Sequence, residues 1–170
     1  MFKLRLITAQ RGGEISRMRK QDIDGDWWTI PAEFSKNGLS HRVPLSKMAV
    51  DLIEVIADES QDSDWVFPSR TTDGPIWSIW KGTARIRDRC GVQFRPHELR
   101  RTVASKMAGD LRINRLVIGK ILNHADNDIT AVYDRHSYDR EKKEALNAWA
   151  KYVESILTGA NDSNVVPLVG

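Results

Sequence analysis

Pro96-His97-Glu98-Leu99-Arg100-Arg101-Thr102 is the stretch from which the rest of the chain is read. Proline suits the first turn of a helix, because its φ is already helical and its missing N–H would have no partner there. The pattern predicts a helix from Pro96 to about Ala108, with His97 and Arg100 three apart on one face. A zinc protease would need a second histidine at the fifth position of this run; Arg101 stands there, and arginine does not ligate zinc. What remains is an imidazole beside a planar fork of N–H donors, a pair suited to a phosphate oxyanion. Taken alone, it is more simply a solvated or capping pair.

Toward the N-terminus, Thr8-Ala9-Gln10-Arg11-Gly12-Gly13-Glu14-Ile15 joins two short helical patterns. The first ends near residue 10 and is interrupted at Gly12-Gly13; the second starts at Glu14 and closes in the polar turn at residues 22–25. Glycines beside Arg11 free the backbone to bring its guanidinium close to a ligand, although a surface charge at a helix end is the plainer reading. The lysine and glycine spacing of a P-loop is absent. Trp27-Trp28-Thr29-Ile30 reads as a strand, and Asn37-Gly38 before Val43-Pro44-Leu45 predicts a hairpin with a type I′ turn. Lys36 then stands at the hairpin tip. Most such lysines keep a turn soluble, but a tip can enter a nucleic-acid groove, where an ammonium could protonate a leaving oxygen.

Beyond the sheet, Met48, Leu52, Ile53 and Ile56 predict a helix over 46–57 with Ser46 as N-cap. Residues 64–68 look extended, and 76–89 look like a basic amphipathic helix carrying Lys81, Arg85, Arg87 and Arg89. Helices are predicted over 112–122, about 127–135 and 139–157, and residues 159–170 form a tail without a period. The fold class is therefore α+β, predominantly helical with a small antiparallel sheet near the N-terminus. Leu122-Asn123-His124 ends one apolar helix, and Tyr133 falls on the next helical segment. Tyr138 and Tyr152 are the competing phenols; Tyr152 lies on an apolar stripe with Ala145, Leu146, Trp149, Val153 and Ile156, so packing accounts for it.

The chain's 170 residues fit one domain, and 41% hydrophobic with 29% charged residues is ordinary for a globular protein. The 26 Lys+Arg against 23 Asp+Glu give a net charge of +3, which permits a nucleic-acid partner without requiring one. A lone Cys90 excludes an internal disulfide and a thiolate zinc site. No apolar run is long enough to span a membrane, and no secretory signal opens the chain, so a cytoplasmic setting is expected.

Arg11, Lys36, His97-x-x-Arg100, His124 and Tyr133 together resemble, in order and spacing, the active-site series of the tyrosine recombinases of the phage-integrase family. Thr-Ala-Gln-Arg-Gly-Gly-Glu-Ile, His-Glu-Leu-Arg-Arg-Thr and Leu-Asn-His…Tyr look like that family's signature boxes. The resemblance covers about residues 4–150. It implies the DNA breaking-rejoining catalytic-domain fold over 1–158, with 159–170 as a C-terminal tail. It also implies a separate N-terminal DNA-binding domain, and a first catalytic helix, outside this sequence.

The roles implied follow residue by residue. Tyr133 is the nucleophile that forms a 3′-phosphotyrosyl link; Arg11 and Arg100 hold the non-bridging oxygens; Lys36 is the general acid for the departing 5′-oxygen. His97 and His124 assist by hydrogen bonding and proton transfer, and Glu14 matches an acidic position that supports the site from behind. A free phenol has a pKa of about 10, so the nucleophile needs help. Two guanidiniums can supply the charge that a metal supplies elsewhere, so the expected reaction uses no metal, ATP or other cofactor. The expected partners are double-stranded DNA and further copies of the protein, assembled as a tetramer through the C-terminal segment. One departure stands out: the family shows Leu-Gly-His where this chain has Leu122-Asn123-His124. Asparagine is next best where a left-handed backbone is wanted, so the turn is expected to survive.

Three rivals bear on the same residues. A type IB topoisomerase shares the chemistry but would not exchange strands between two duplexes. A non-catalytic DNA-binding relative would have lost an essential residue, whereas all six candidates are present. A phosphatase or nuclease using His97 and Arg100 would leave no protein–DNA adduct.

Overall fold

Alternation in Trp27-Trp28-Thr29-Ile30 builds the sheet from which part of the site hangs. In the computed structural model, which describes residues 1–124 and 137–159, β2 (Trp27–Ile30) lies between β1 (Ile23–Asp24) and β3 (His41–Pro44), antiparallel to both. Trp28 opposes Val43 and Ile30 opposes His41. The two-residue period therefore turns these four side chains to one inner face, and all four are buried. Register alone carries a histidine into the core.

The described helices are α1 (Phe2–Thr8), α2 (Gly12–Ser16), α3 (Lys47–Asp58), α4 (Trp80–Cys90), α5 (Pro96–Gly109), α6 (Arg115–Ile121) and α7 (Asp139–Thr158). α1 packs against α3, α5 and α7, while α7 also covers β3 and α6. Leu4, Ile7, Trp28, Ile30, Val103, Met107, Ile121, Leu146 and Trp149 share the core. The indole N–H of Trp149 donates to Leu6 O at 2.8 Å, fixing the last helix on the first. Lys142 Nζ donates to Arg42 O at 2.8 Å and pairs with Asp139 at 2.8 Å, which ties α7 to β3. No helix among the described residues is long and apolar enough to cross a membrane.

Several boundaries differ from the sequence expectation. The β2–β3 connection is longer than a two-residue hairpin: a 3-10 turn at Ala32–Phe34 precedes a β-turn closed by Gly38 N–H to Ser35 O at 3.2 Å. Gly38 has φ +70°, but Asn37 does not take the left-handed conformation a type I′ turn would need. α4 starts at Trp80 rather than near residue 76, where the Ile76 N–H is held by Phe67 O at 2.9 Å outside any helix. α6 starts at Arg115 because Asn114 caps it, accepting Leu116 N–H at 2.8 Å. Ser46 does stand at the N-cap of α3, yet its hydroxyl makes no capping bond.

On α7, Leu146, Trp149 and Val153 of the apolar stripe are buried in the chain's own core; Ile156, 63% exposed, stays at the surface. The predicted helix over 127–135, the candidate nucleophile Tyr133 and tail residues 160–170 lie outside the described residues.

Candidate active site

Helix C-termini leave carbonyls without intrahelical partners, and the end of α6 gathers side chains from three distant segments. Ile121 O accepts Gln10 Nε2 at 2.9 Å and His41 Nε2 at 3.1 Å. Leu122 O accepts Arg100 Nη2, and Asn123 O accepts Arg11 Nη2 at 3.4 Å. Two guanidiniums thus meet on consecutive carbonyls at the end of a helix where partial negative charge favours cations. Asn123 takes φ +48°, the left-handed turn expected of it, and His124 N–H reaches back to Gly119 O at 3.1 Å.

Each arginine is braced a second time. Arg100, 4% exposed, donates Nη1 to Ala9 O at 2.6 Å, so it bridges the α1 and α6 ends. Burial first, then the nearby Arg11 charge, pull its pKa down to about 10, which leaves it cationic at neutral pH. Arg11 precedes α2, and Glu14, the third residue of that helix, binds it twice. One carboxylate oxygen accepts the Arg11 backbone N–H at 3.0 Å and the other accepts Nη1 at 2.9 Å. Glu14 is buried, so the expected acidic support is a direct ion pair.

In α5, Pro96 occupies the first turn and Glu98 accepts the Arg95 backbone N–H at 2.7 Å. This explains why the histidine–arginine pair starts a helix: the glutamate between them closes the N-terminus. His97 is exposed at the mouth while Arg100, one turn on, points inward. Partial burial, then the positive charges of Arg100, Arg5, Arg101 and Arg11, hold the His97 pKa below its ordinary value. A neutral imidazole is therefore the resting form at neutral pH, able to donate or accept a proton.

Lys36 is exposed in the Ser35–Gly38 turn, which the Asn123 side chain touches through Ser35 and Asn37. Arg11, Glu14, His97 and Arg100 are thus brought together, bordered by the turns that carry Lys36 and His124. Of the competing phenols, Tyr152 donates to Asp110 Oδ2 at 2.5 Å and stacks on Trp149 at 5.6 Å, as a packing residue should. Tyr138 precedes α7 with the Lys120 ammonium 5.0 Å from its ring centre.

Sequence reasoning missed three residues that build the site, and the side-chain role of a fourth. Gln10 and His41 hold Ile121 O, Arg5 lies buried beneath Gly12, donating Nη2 to Pro96 O at 2.8 Å, and Asn123, expected only as a turn residue, also joins two turns through its amide. Arg5 alone left a signal, an arginine among apolar residues on α1. A cleft of about 520 Å³, lined by Arg5, Gly12, Trp77, Trp80, Arg95 and His97, opens beside the pair; Trp77 and Trp80 are each 72% exposed.

Comparison with known proteins bears on the family and the fold. The sequence model of the phage integrase family matches residues 1–140. Prophage integrase IntA of Escherichia coli (strain K12) is 29% identical over 164 residues, 94% of this chain and 40% of that protein. The chain thus spans about 40% of the length of the prophage integrases it matches. A crystal structure of XerA recombinase superposes with a TM-score of 0.55 at 25% identity, covering 82% of this chain and 52% of that one. A lambda integrase tetramer bound to a Holliday junction gives 0.58 at 20% identity, covering 75% and 40%, a likeness of fold. With its mostly helical fold, small antiparallel sheet and paired arginines, this chain belongs to the phage integrase family.

Proposed function

We propose that this chain is the catalytic domain, residues 1–158, of a site-specific DNA recombinase that cuts and rejoins DNA through a 3′-phosphotyrosyl intermediate. The observation that carries the reading is the meeting of Arg11 and Arg100 on the consecutive carbonyls Asn123 O and Leu122 O, with His97 at the mouth. In this reading a scissile phosphate enters between the guanidiniums. Tyr133 attacks phosphorus, the P–O5′ bond breaks, and Lys36 delivers a proton to the departing oxygen. His97 and His124 assist by hydrogen bonding and proton transfer, the neutral His97 taking up the phenolic proton of Tyr133. Because the donors are already fixed, little reorganisation accompanies the build-up of charge. The ester retains the energy of the broken bond, so religation uses no ATP, and the two arginines supply the charge stabilisation. The lambda integrase tetramer on a Holliday junction supports assembly of several copies on DNA; that they assemble through the C-terminal segment is part of this reading.

The test is a nicked suicide duplex followed by denaturing electrophoresis. A covalent adduct is expected from the chain and from Tyr138→Phe, and none from Tyr133→Phe. An adduct that survives Tyr133→Phe, or free product ends without any adduct, would overturn the assignment.

A further inference from the structure

Asparagine in place of glycine before His124 does more than accept a left-handed φ. Its amide faces that of Asn37: Asn37 Nδ2 donates to Asn123 Oδ1 at 2.8 Å, and Asn123 Nδ2 returns a bond to Asn37 Oδ1 at 3.3 Å. Asn123 Nδ2 also donates to Ser35 Oγ at 3.0 Å, and the Ser35 hydroxyl donates to Asn37 Oδ1 at 2.7 Å. Lys36 is the one residue between Ser35 and Asn37, at a corner of the turn that Gly38 N–H closes on Ser35 O. The backbone of Asn123 meanwhile accepts Arg11. One residue therefore binds the arginine floor with its main chain and both flanks of the lysine turn with its side chain. A glycine at 123 would keep the first connection and lose the second.

We infer that Asn123 is a positioning residue that holds the Lys36 turn over the paired arginines, so that the ammonium is registered on the 5′-leaving oxygen. This rests on the reading of Lys36 as general acid. An exposed lysine on a free turn samples many positions, and each bond that fixes its two neighbours narrows them. Cleavage breaks P–O5′ and forms P–O(Tyr), with the phenolic proton passing to the neutral His97 imidazole, and a second proton moves from Lys36 Nζ to O5′. If O5′ is replaced by sulfur, the leaving group departs as a thiolate and needs no proton.

The experiment compares the 170-residue chain, Asn123→Gly and Lys36→Ala at saturating duplex, on an ordinary suicide substrate and on one with a 5′-bridging sulfur at the scissile position. Asn123→Gly is expected to form adduct about tenfold more slowly on the oxygen substrate, a part of the ~10²–10⁴-fold that general acids contribute. On the sulfur substrate both variants are expected to match the parent chain, while Arg100→Lys stays slow on both. Asn123→Gly as fast as the parent chain on oxygen, or slow on both substrates while Lys36→Ala is rescued, overturns the inference and leaves Lys36 as the acid. Lys36→Ala slow on both substrates removes Lys36 from that role, and the inference with it. No adduct from the parent chain on either substrate overturns the proposed function itself.

Discussion

Acidification should dismantle the floor of the site through His41, a residue that touches no substrate. Its ring lies on the inner face of β3, and Nε2 faces Ile121 O at 3.1 Å. A carbonyl only accepts, so the neutral ring carries its proton on Nε2. Burial first, then the Lys142 charge, lower its pKa from 6.5 to about 4. In the unfolded chain the imidazole takes up a proton as pH falls through 6.5, whereas the folded protein resists until about 4. Between those values the unfolded state binds more protons, so stability rises with pH across the window and is lost on acidification. The interval corresponds to about 3 kcal/mol, at most about 1.4 kcal/mol per pH unit. Carboxylates titrate in the same range, so the comparison is with His41→Gln, which keeps an N–H donor within reach and cannot titrate. Urea unfolding of both proteins from pH 7.5 to 3.5 should give curves whose separation changes by that amount between pH 6.5 and 4 and is constant above it. A uniform cost of the substitution would offset the curves without changing their relative slope. Parallel curves throughout would refute the claim that a neutral, buried His41 supports this fold.

Two further outcomes follow from the same geometry. Arg100→Lys keeps a charge but cannot bridge Ala9 O and Leu122 O, so one buried carbonyl loses its partner. Stability should drop by about 1–3 kcal/mol, read as a thermal shift of roughly 2–4 °C per kcal/mol, and adduct formation should fall by about 10²-fold or more. A variant that melts and cleaves like the parent chain would contradict the bridging role. Gly12→Ala would set a Cβ 2.9 Å from Arg5 Cζ, a guanidinium pinned by Pro96 O, while Gly13→Ala meets nothing within 4 Å. The first should cost about 1–3 kcal/mol and the second should be neutral or stabilising by up to about 1 kcal/mol; equal melting temperatures would refute the packing argument.

Local signals in the sequence were sufficient wherever structure is decided locally. Proline before His97 and the aromatic and β-branched run Trp27–Ile30 gave elements that are present, because helix initiation and strand formation depend on neighbours a few residues away. Boundaries moved where a distant partner intervenes, as at Ile76, held by Phe67 O, and at Asn37, whose amide is taken by Asn123. The arginines and His97 could be singled out because their chemistry recurs in recognisable boxes. Gln10 and His41 could not: what recruits them is the carbonyl of Ile121, far away in sequence. No local pattern distinguishes a glutamine that will meet such a carbonyl from one that will face water. The role of Tyr133 rests on the sequence resemblance alone, since that residue is outside the described part of the chain.

Two guanidiniums held side by side with one carboxylate pose an electrostatic problem, and its solution bears on how the site works. Arg11 lowers the Arg100 pKa by direct repulsion, and Glu14 opposes that effect. Among the described residues one carboxylate, Glu14, pairs directly with Arg11, while Arg100 donates to two dipoles, the carbonyls of Ala9 and Leu122. Dipoles oriented by a helix end stabilise a cation without cancelling its charge. Arg5, buried a few residues away on α1, brings a third guanidinium charge that also lowers the Arg100 pKa. A full second carboxylate would have calmed the repulsion and removed the reason for a phosphate to enter. Holding Arg100 with carbonyls instead leaves its attraction for an anion intact, which is what the proposed function asks of it.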